Sequence, residues 1–113
     1  MSSQLYFSED DRYEIRHSCR FESANNAHLH NTPSSDGNLD AWTFSAWVKL
    51  SKDIAGTTPL FAAGTNASEY SRITFISNNK LTFMILGSDG NFKAAYKCEF
   101  PCRDFSAWYH ICV

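Results

Sequence analysis

The sequence has no run of basic residues. Ten Lys and Arg are scattered among twelve Asp and Glu, leaving a net charge of -2 over 113 residues. That balance produces no long-range field to attract nucleic acid or an anionic membrane surface. No stretch reaches the length of a membrane span, and the opening Met1-Ser2-Ser3-Gln4-Leu5-Tyr6 has no basic region leading into an apolar run. The expectation is a soluble protein made in the cytosol. The cysteines, Cys19, Cys98, Cys102 and Cys112, lack the two-residue gap of a zinc knuckle or a redox pair. Cys19 and Cys112 sit in apolar, strand-like runs where a thiol behaves as a small buried hydrophobe. Two readings stand for Cys98 and Cys102: free thiols, as a cytosolic start favours, or a disulfide closing a turn. No helical period, internal repeat or low-complexity segment is present.

What is there is apolar and aromatic. Hydrophobic residues make up 43% and aromatics 15%, enough for a real core in one small domain. The organising stretch is Trp42-Thr43-Phe44-Ser45-Ala46-Trp47-Val48-Lys49-Leu50. Trp42, Phe44, Ala46, Val48 and Leu50 fall on one side of an extended strand, and Thr43, Ser45, Trp47 and Lys49 on the other. This predicts a half-buried strand at the centre of a sheet. Further strands are predicted at residues 13–21, 28–30, 59–63, 70–76, 80–86, 92–100 and 106–113. Turn residues separate them, including Gly64, Ser77-Asn78-Asn79 and Gly87-Ser88-Asp89-Gly90-Asn91. Residues 1–12 read as an arm. Many short strands at this spacing predict an all-β, antiparallel sandwich over residues 13–113. The predicted core is Phe21, Leu29, Phe44, Ala46, Val48, Phe61, Phe83 and Trp108.

Three segments carry a family resemblance. They are Ser18-Cys19-Arg20-Phe21, then His28-Leu29-His30-Asn31-Thr32-Pro33-Ser34-Ser35, then Thr43-Phe44-Ser45-Ala46-Trp47-Val48-Lys49. Together with Leu60-Phe61, Lys80-Leu81-Thr82-Phe83 and Trp108-Tyr109-His110-Ile111, they resemble a laminin G-like, concanavalin A-like jelly-roll domain. The segments around Thr32-Pro33-Ser34-Ser35 and Arg103-Asp104 to His110 are similar to a subset of such domains in virion proteins of tailed phages and large aquatic viruses. The resemblance covers residues 13–113. Domains of this family run on for several strands after the Trp-Tyr-His strand, so it implies an incomplete jelly roll, the first half to two-thirds of one.

Each candidate site has a plainer alternative. His28 and His30, two apart on a predicted strand, share a face and have the spacing to hold zinc or copper, but no third ligand is evident. Asp36 and Asp40 lie in a loop near where the resemblance implies calcium in some relatives. Calcium takes six to eight oxygens, so a solvated turn is the plainer reading. Trp47 reads as a sugar-stacking or partner-contact residue, or as a core tryptophan under a second layer. Asn66-Ala67-Ser68 is a glycosylation sequon on a turn. His110 reads as a structural member of its strand.

No cofactor is expected beyond possible calcium. The paired-carboxylate strand of glucanases that share the fold is absent, with Glu14, Glu22, Glu69 and Glu99 scattered. No Ser/His/Asp arrangement is suggested either. The chain is therefore expected not to be an enzyme. The resemblance implies a structural virion component, a decoration or cement module of a capsid or tail. It would be made in the host cytoplasm and act through other virion proteins or a further part of the same polypeptide. The alternative is an extracellular, carbohydrate-binding lectin module for host attachment, and a glycoside hydrolase is the third reading.

Overall fold

The computed structural model describes residues 16–35, 37, 38, 41–66 and 68–113. The chain divides after Gly37 into two compact units.

Among the described residues of the first unit the backbone forms a 3-10 turn at Ser23–Asn25. There the N–H groups of Asn25 and Ala27 both donate to the Glu22 carbonyl, at 3.2 and 3.3 Å. Asn26 follows with φ 50°, a left-handed conformation that asparagine tolerates. No strand forms among the described residues of this unit. This corrects the expected strands at 13–21 and 28–30, of which residues 13–15 lie outside the described residues, as does the expected arm at 1–12. It also removes two residues from the expected core: Phe21 is 53% exposed and Leu29 80%. Alternation alone does not make a strand, because the ladder hydrogen bonds and the covered face come from a partner.

The second unit is all-β. Its strands are β1 (Ser45–Val48), β2 (Thr58–Asn66), β3 (Glu69–Ile76), β4 (Lys80–Leu86), β5 (Phe92–Lys97) and β6 (Tyr109–Cys112). They form two antiparallel sheets, one of four strands in the order β2-β3-β4-β5 and one of two, β1-β6. The expected antiparallel β architecture is present. β1 is not its centre, however. It lies in the smaller sheet, and the middle of the larger one is β3 and β4.

The four-stranded sheet is a meander whose turns follow from local chemistry. β3 and β4 meet across Ser77–Asn79, where Asn78 and Asn79 take φ of 68° and 58°. Two successive left-handed residues give the turn a twist that matches the strands, and asparagine adopts them readily. β4 and β5 meet across 87–91, where Gly90 has φ 74° and the Gly87 N–H donates to the Asn91 carbonyl at 3.0 Å. β2 does not end at Gly64 as expected but bulges through it, the register shifting between Gly64 and Asn66. A Cβ at 64 would sit 2.3 Å from the Glu69 carbonyl oxygen, so only glycine fits this close approach.

Register then builds the core. Phe61 faces Ile73, Ile73 faces Phe83, and Phe83 faces Tyr96, which sets four apolar side chains in a row across the sheet. Ile73 and Phe75 are fully buried. Burial of such a side chain contributes about 1.5–3 kcal/mol. The small sheet covers part of this face through Phe44 on Phe61, with ring centroids 5.2 Å apart, and Trp42 on Phe61 and Phe83, at 6.1 and 5.7 Å.

The facing of β1 agrees with its alternation: Phe44, Ala46 and Val48 are half-buried, while Ser45 and Trp47 are exposed. The facing of β6 is the reverse of the expected one. Ile111 is buried opposite Ala46 and Tyr109 half-buried opposite Val48, whereas Trp108 is 51% exposed. Paired residues share a face, so the partner's parity overrides the bulk of Trp108. Cys112, which pairs with Ser45, is exposed for the same reason, and Cys19 is exposed as well.

Candidate interaction surfaces

One surface is an unpaired strand edge. Phe44 and Val113 exchange both backbone hydrogen bonds, each N–H donating to the other's carbonyl at 2.9 Å. In an antiparallel ladder such pairs alternate with pairs that make no mutual bonds. The pairs Ser45/Cys112 and Trp47/His110 are therefore of the second kind. The N–H and C=O groups of His110 and Cys112 consequently point away from β1, toward an edge where no described strand pairs. β6 carries neither charge nor proline to blunt that edge.

Beside it the layers do not close. On the β1 side Trp42 and Phe44 reach the larger sheet. On the β6 side an open groove of about 410 Å³ runs between Cys112 and Val113 above and Leu81, Phe83, Tyr96 and Cys98 below. Tyr96 stacks on Phe83, its ring within 5° of parallel and centroids 6.3 Å apart, yet is mostly exposed. Apolar surface on an inner sheet face and an adjacent bare strand edge thus lie together.

The second surface is the outer face of the small sheet. Trp47 is 53% exposed, with the His110 ring 5.0 Å away and tilted 31° to it. His110 Nε2 lies 2.9 Å from Ser45 Oγ, within hydrogen-bond distance. Trp108 has the same strand parity as His110. Trp47 is therefore at the surface, not under a second layer, and His110 packs beside its ring, a contact its sequence context did not suggest.

The rim around both surfaces is pinned by hydrogen bonds to short polar side chains. The Asp104 carboxylate accepts from the Ser106 N–H at 2.8 Å and hydroxyl at 2.6 Å, and these bonds hold its carboxyl below the usual range. The Asp104 N–H donates to the Tyr109 hydroxyl at 2.9 Å, tying the loop to β6. Lys80 donates to Glu99 at 2.7 Å, and this bond is the main cause of the lowered Glu99 carboxyl. Beneath them Asn79 is buried. Its Oδ1 accepts from the Ile54 N–H at 2.7 Å, its Nδ2 donates to Asp53 at 2.8 Å, and its carbonyl accepts from the Cys102 N–H at 2.9 Å. One residue thereby holds two loops to a hairpin, its side chain binding the segment at Asp53 and Ile54 and its backbone carbonyl the one at Cys102. Its position between Asn78 and Lys80 read only as a turn.

The remaining candidates are scattered. His28 and His30 are exposed on irregular backbone, not on a common strand face, and His28 Nδ1 is 2.7 Å from the Asn26 carbonyl. Asp36 and Asp40 lie outside the described residues. Among those described, no three His, Cys, Asp or Glu side chains come together in a way that could hold a metal ion. Asn66 is exposed at the end of β2, its Oδ1 accepting from the Ser68 N–H at 2.7 Å. No helix of the described residues is long and apolar enough to cross a membrane. No protein family, curated protein or solved structure matches this chain.

Proposed function

We propose that this chain is a non-enzymatic structural module that works by protein–protein contact, with β6 as the strand to which a further strand adds. The observation that supports it is the His110–Cys112 edge, with which no described strand pairs, standing over a groove at Tyr96 and Cys98 that is open among the described residues. An added strand would satisfy the outward N–H and C=O groups and cover the apolar floor in one step, the arrangement of β-augmentation. The resemblance to laminin G-like jelly rolls of virion proteins gives this reading its specific form. The module decorates or cements a capsid or tail, with the added strand coming from another virion protein or from further along the same polypeptide.

The test is light scattering on the 113-residue chain under reducing conditions, across concentrations. Mass should rise above the monomer. Cys112→Pro, which removes an N–H outside the β1 ladder, should return the chain to monomer. A wild-type chain that stays monomeric and unfolds cooperatively would overturn the proposal.

A second reading rests on a different surface. The exposed Trp47 ring, flanked by Ser45 and His110, suits stacking against a sugar face, as in a lectin module for host attachment. A glycan array decides it: a lectin must give saturable, sugar-specific signal that Trp47→Ala abolishes.

A further inference from the structure

The end of β5 brings two cysteines into register by an unusual route. The Cys98 N–H donates to the Leu81 carbonyl at 2.8 Å, continuing the β4–β5 ladder one residue beyond its last strand position. In a regular antiparallel ladder the next such bond would come from residue 100 to Asn79. Here it comes from Cys102, whose N–H donates to the Asn79 carbonyl at 2.9 Å. Glu99, Phe100 and Pro101 therefore span a stretch that a single residue would normally fill. Cys98 and Cys102 are left at positions equivalent to i and i+2 of a strand, which are about 6.6 Å apart and have side chains on one face. That spacing is at the outer end of the Cα range of a disulfide, about 6.8 Å. Parallel Cβ atoms stand about as far apart, beyond the roughly 3.5–4.5 Å that a disulfide spans, so closing the bond draws the bulge at 99–101 inward.

The side chains agree with the backbone. Cys98 Sγ is turned into the loop, donating to the Phe100 carbonyl at 3.5 Å. The Cys102 thiol is pushed up, first by burial and then by Cys98 itself, so the two sulfur groups sense one another. Cys98 is exposed and Cys102 half-buried.

We infer that Cys98 and Cys102 are a reversible dithiol–disulfide pair that closes the loop carrying Phe100. The oxidant is a low-molecular-weight disulfide. The Cys98 thiolate attacks one of its sulfurs and expels a thiolate, leaving a mixed disulfide on Cys98. Cys102, once deprotonated, attacks Cys98 Sγ and expels the second thiolate. Two protein thiols are oxidised and one small disulfide is reduced to two thiols. Phe100, 84% exposed at the tip, is then held in a closed ring beside the groove. The test of the pair, made on the chain alone, does not depend on strand addition at β6, although Cys98 lines the groove that an added strand would cover.

The experiment uses the intact chain and oxidised glutathione. Trypsin cuts after Lys97 and Arg103, so both sulfurs ride on the peptide 98–103. After native oxidation and alkylation, that peptide should appear without label and lighter than its dithiol form by two hydrogen atoms. Dithiothreitol should return it to two labelled thiols. The variant lacking Cys19 and Cys112 should behave identically. Alkylation of both thiols, a persistent glutathione adduct on Cys98, or a Cys98–Cys112 cross-link would each overturn the inference.

Discussion

The two sheets of the second unit differ in how much of their hydrogen bonding is local. In the four-stranded sheet every ladder joins strands consecutive in sequence, so each hairpin carries its register in its own turn residues. The two-stranded sheet joins β1 to β6, and a partnered pair such as Ser45 and His110 is 65 residues apart. The first sheet and its β3–β4 turn hold the most deeply buried side chains, Ile73, Thr74, Phe75 and Asn79. The second holds one buried residue, Ile111, and presents Trp47, Trp108 and an edge with which no described strand pairs. Buried side chains therefore concentrate in the local sheet, and exposed aromatic surface is left to the non-local one.

The sharpest way to break that contrast is to truncate one aromatic from each layer. Phe75→Ala should destabilise by about 3–5 kcal/mol, as for a fully buried ring. Phe44→Ala, half-buried on Phe61, should cost about 2 kcal/mol. Equal costs in chemical denaturation would mean that the small sheet bears as much of the fold as the large one. Next in size is Asn79→Ala, which leaves the Ile54 N–H and Asp53 without their partner and should cost about 2 kcal/mol. Its melting transition should fall, and amide exchange at Ile54 should speed up most.

Trp47→Ala should lower stability by only about 0.5–1 kcal/mol, the value of an exposed ring pair. A loss approaching that of Phe75→Ala would mean that the outer face is covered. The smallest effect concerns the β4–β5 turn. Lys93 donates to Asp89 at 2.6 Å, and this bond, with those to Asn91, lowers the Asp89 carboxyl from 3.8 to about 2. A depressed carboxylate contributes stability above its unfolded value and loses it as pH falls through the folded one. The contribution should be intact above about pH 4 and fade toward pH 2. Carboxyl NMR of Lys93→Ala should show the Asp89 midpoint moving up; an unmoved midpoint would remove Lys93 as the cause.

What was legible in the sequence follows the same division. Asn78-Asn79 and Gly87-Ser88-Asp89-Gly90-Asn91 announced their hairpins because left-handed backbone needs such residues. β4 has the expected bounds, and β3 starts one residue earlier than expected, at Glu69. β6 was not legible in its facing. Trp108, His110 and Cys112 are as strand-compatible as Tyr109, Ile111 and Val113, and only pairing with Ala46 and Val48 decides which set turns inward. The alternation of His17, Cys19 and Phe21 misled for the converse reason, since no described strand pairs with it. Of the candidate surfaces, the outward parity of Trp47 could be read, but its His110 neighbour could not. The Asn79 hub was hidden because its partners come from a distant loop.

The meander also has a kinetic consequence. Closing the three-residue turn between Ile76 and Lys80 restricts little chain, whereas bringing Ser45 to Cys112 closes a loop that contains the whole larger sheet. Loop-closure entropy and contact order favour the hairpins first. The β1–β6 ladder then docks onto a sheet already formed. Stopped-flow tryptophan fluorescence reads that late step directly, because Trp42, Trp47 and Trp108 all lie within or beside the small sheet.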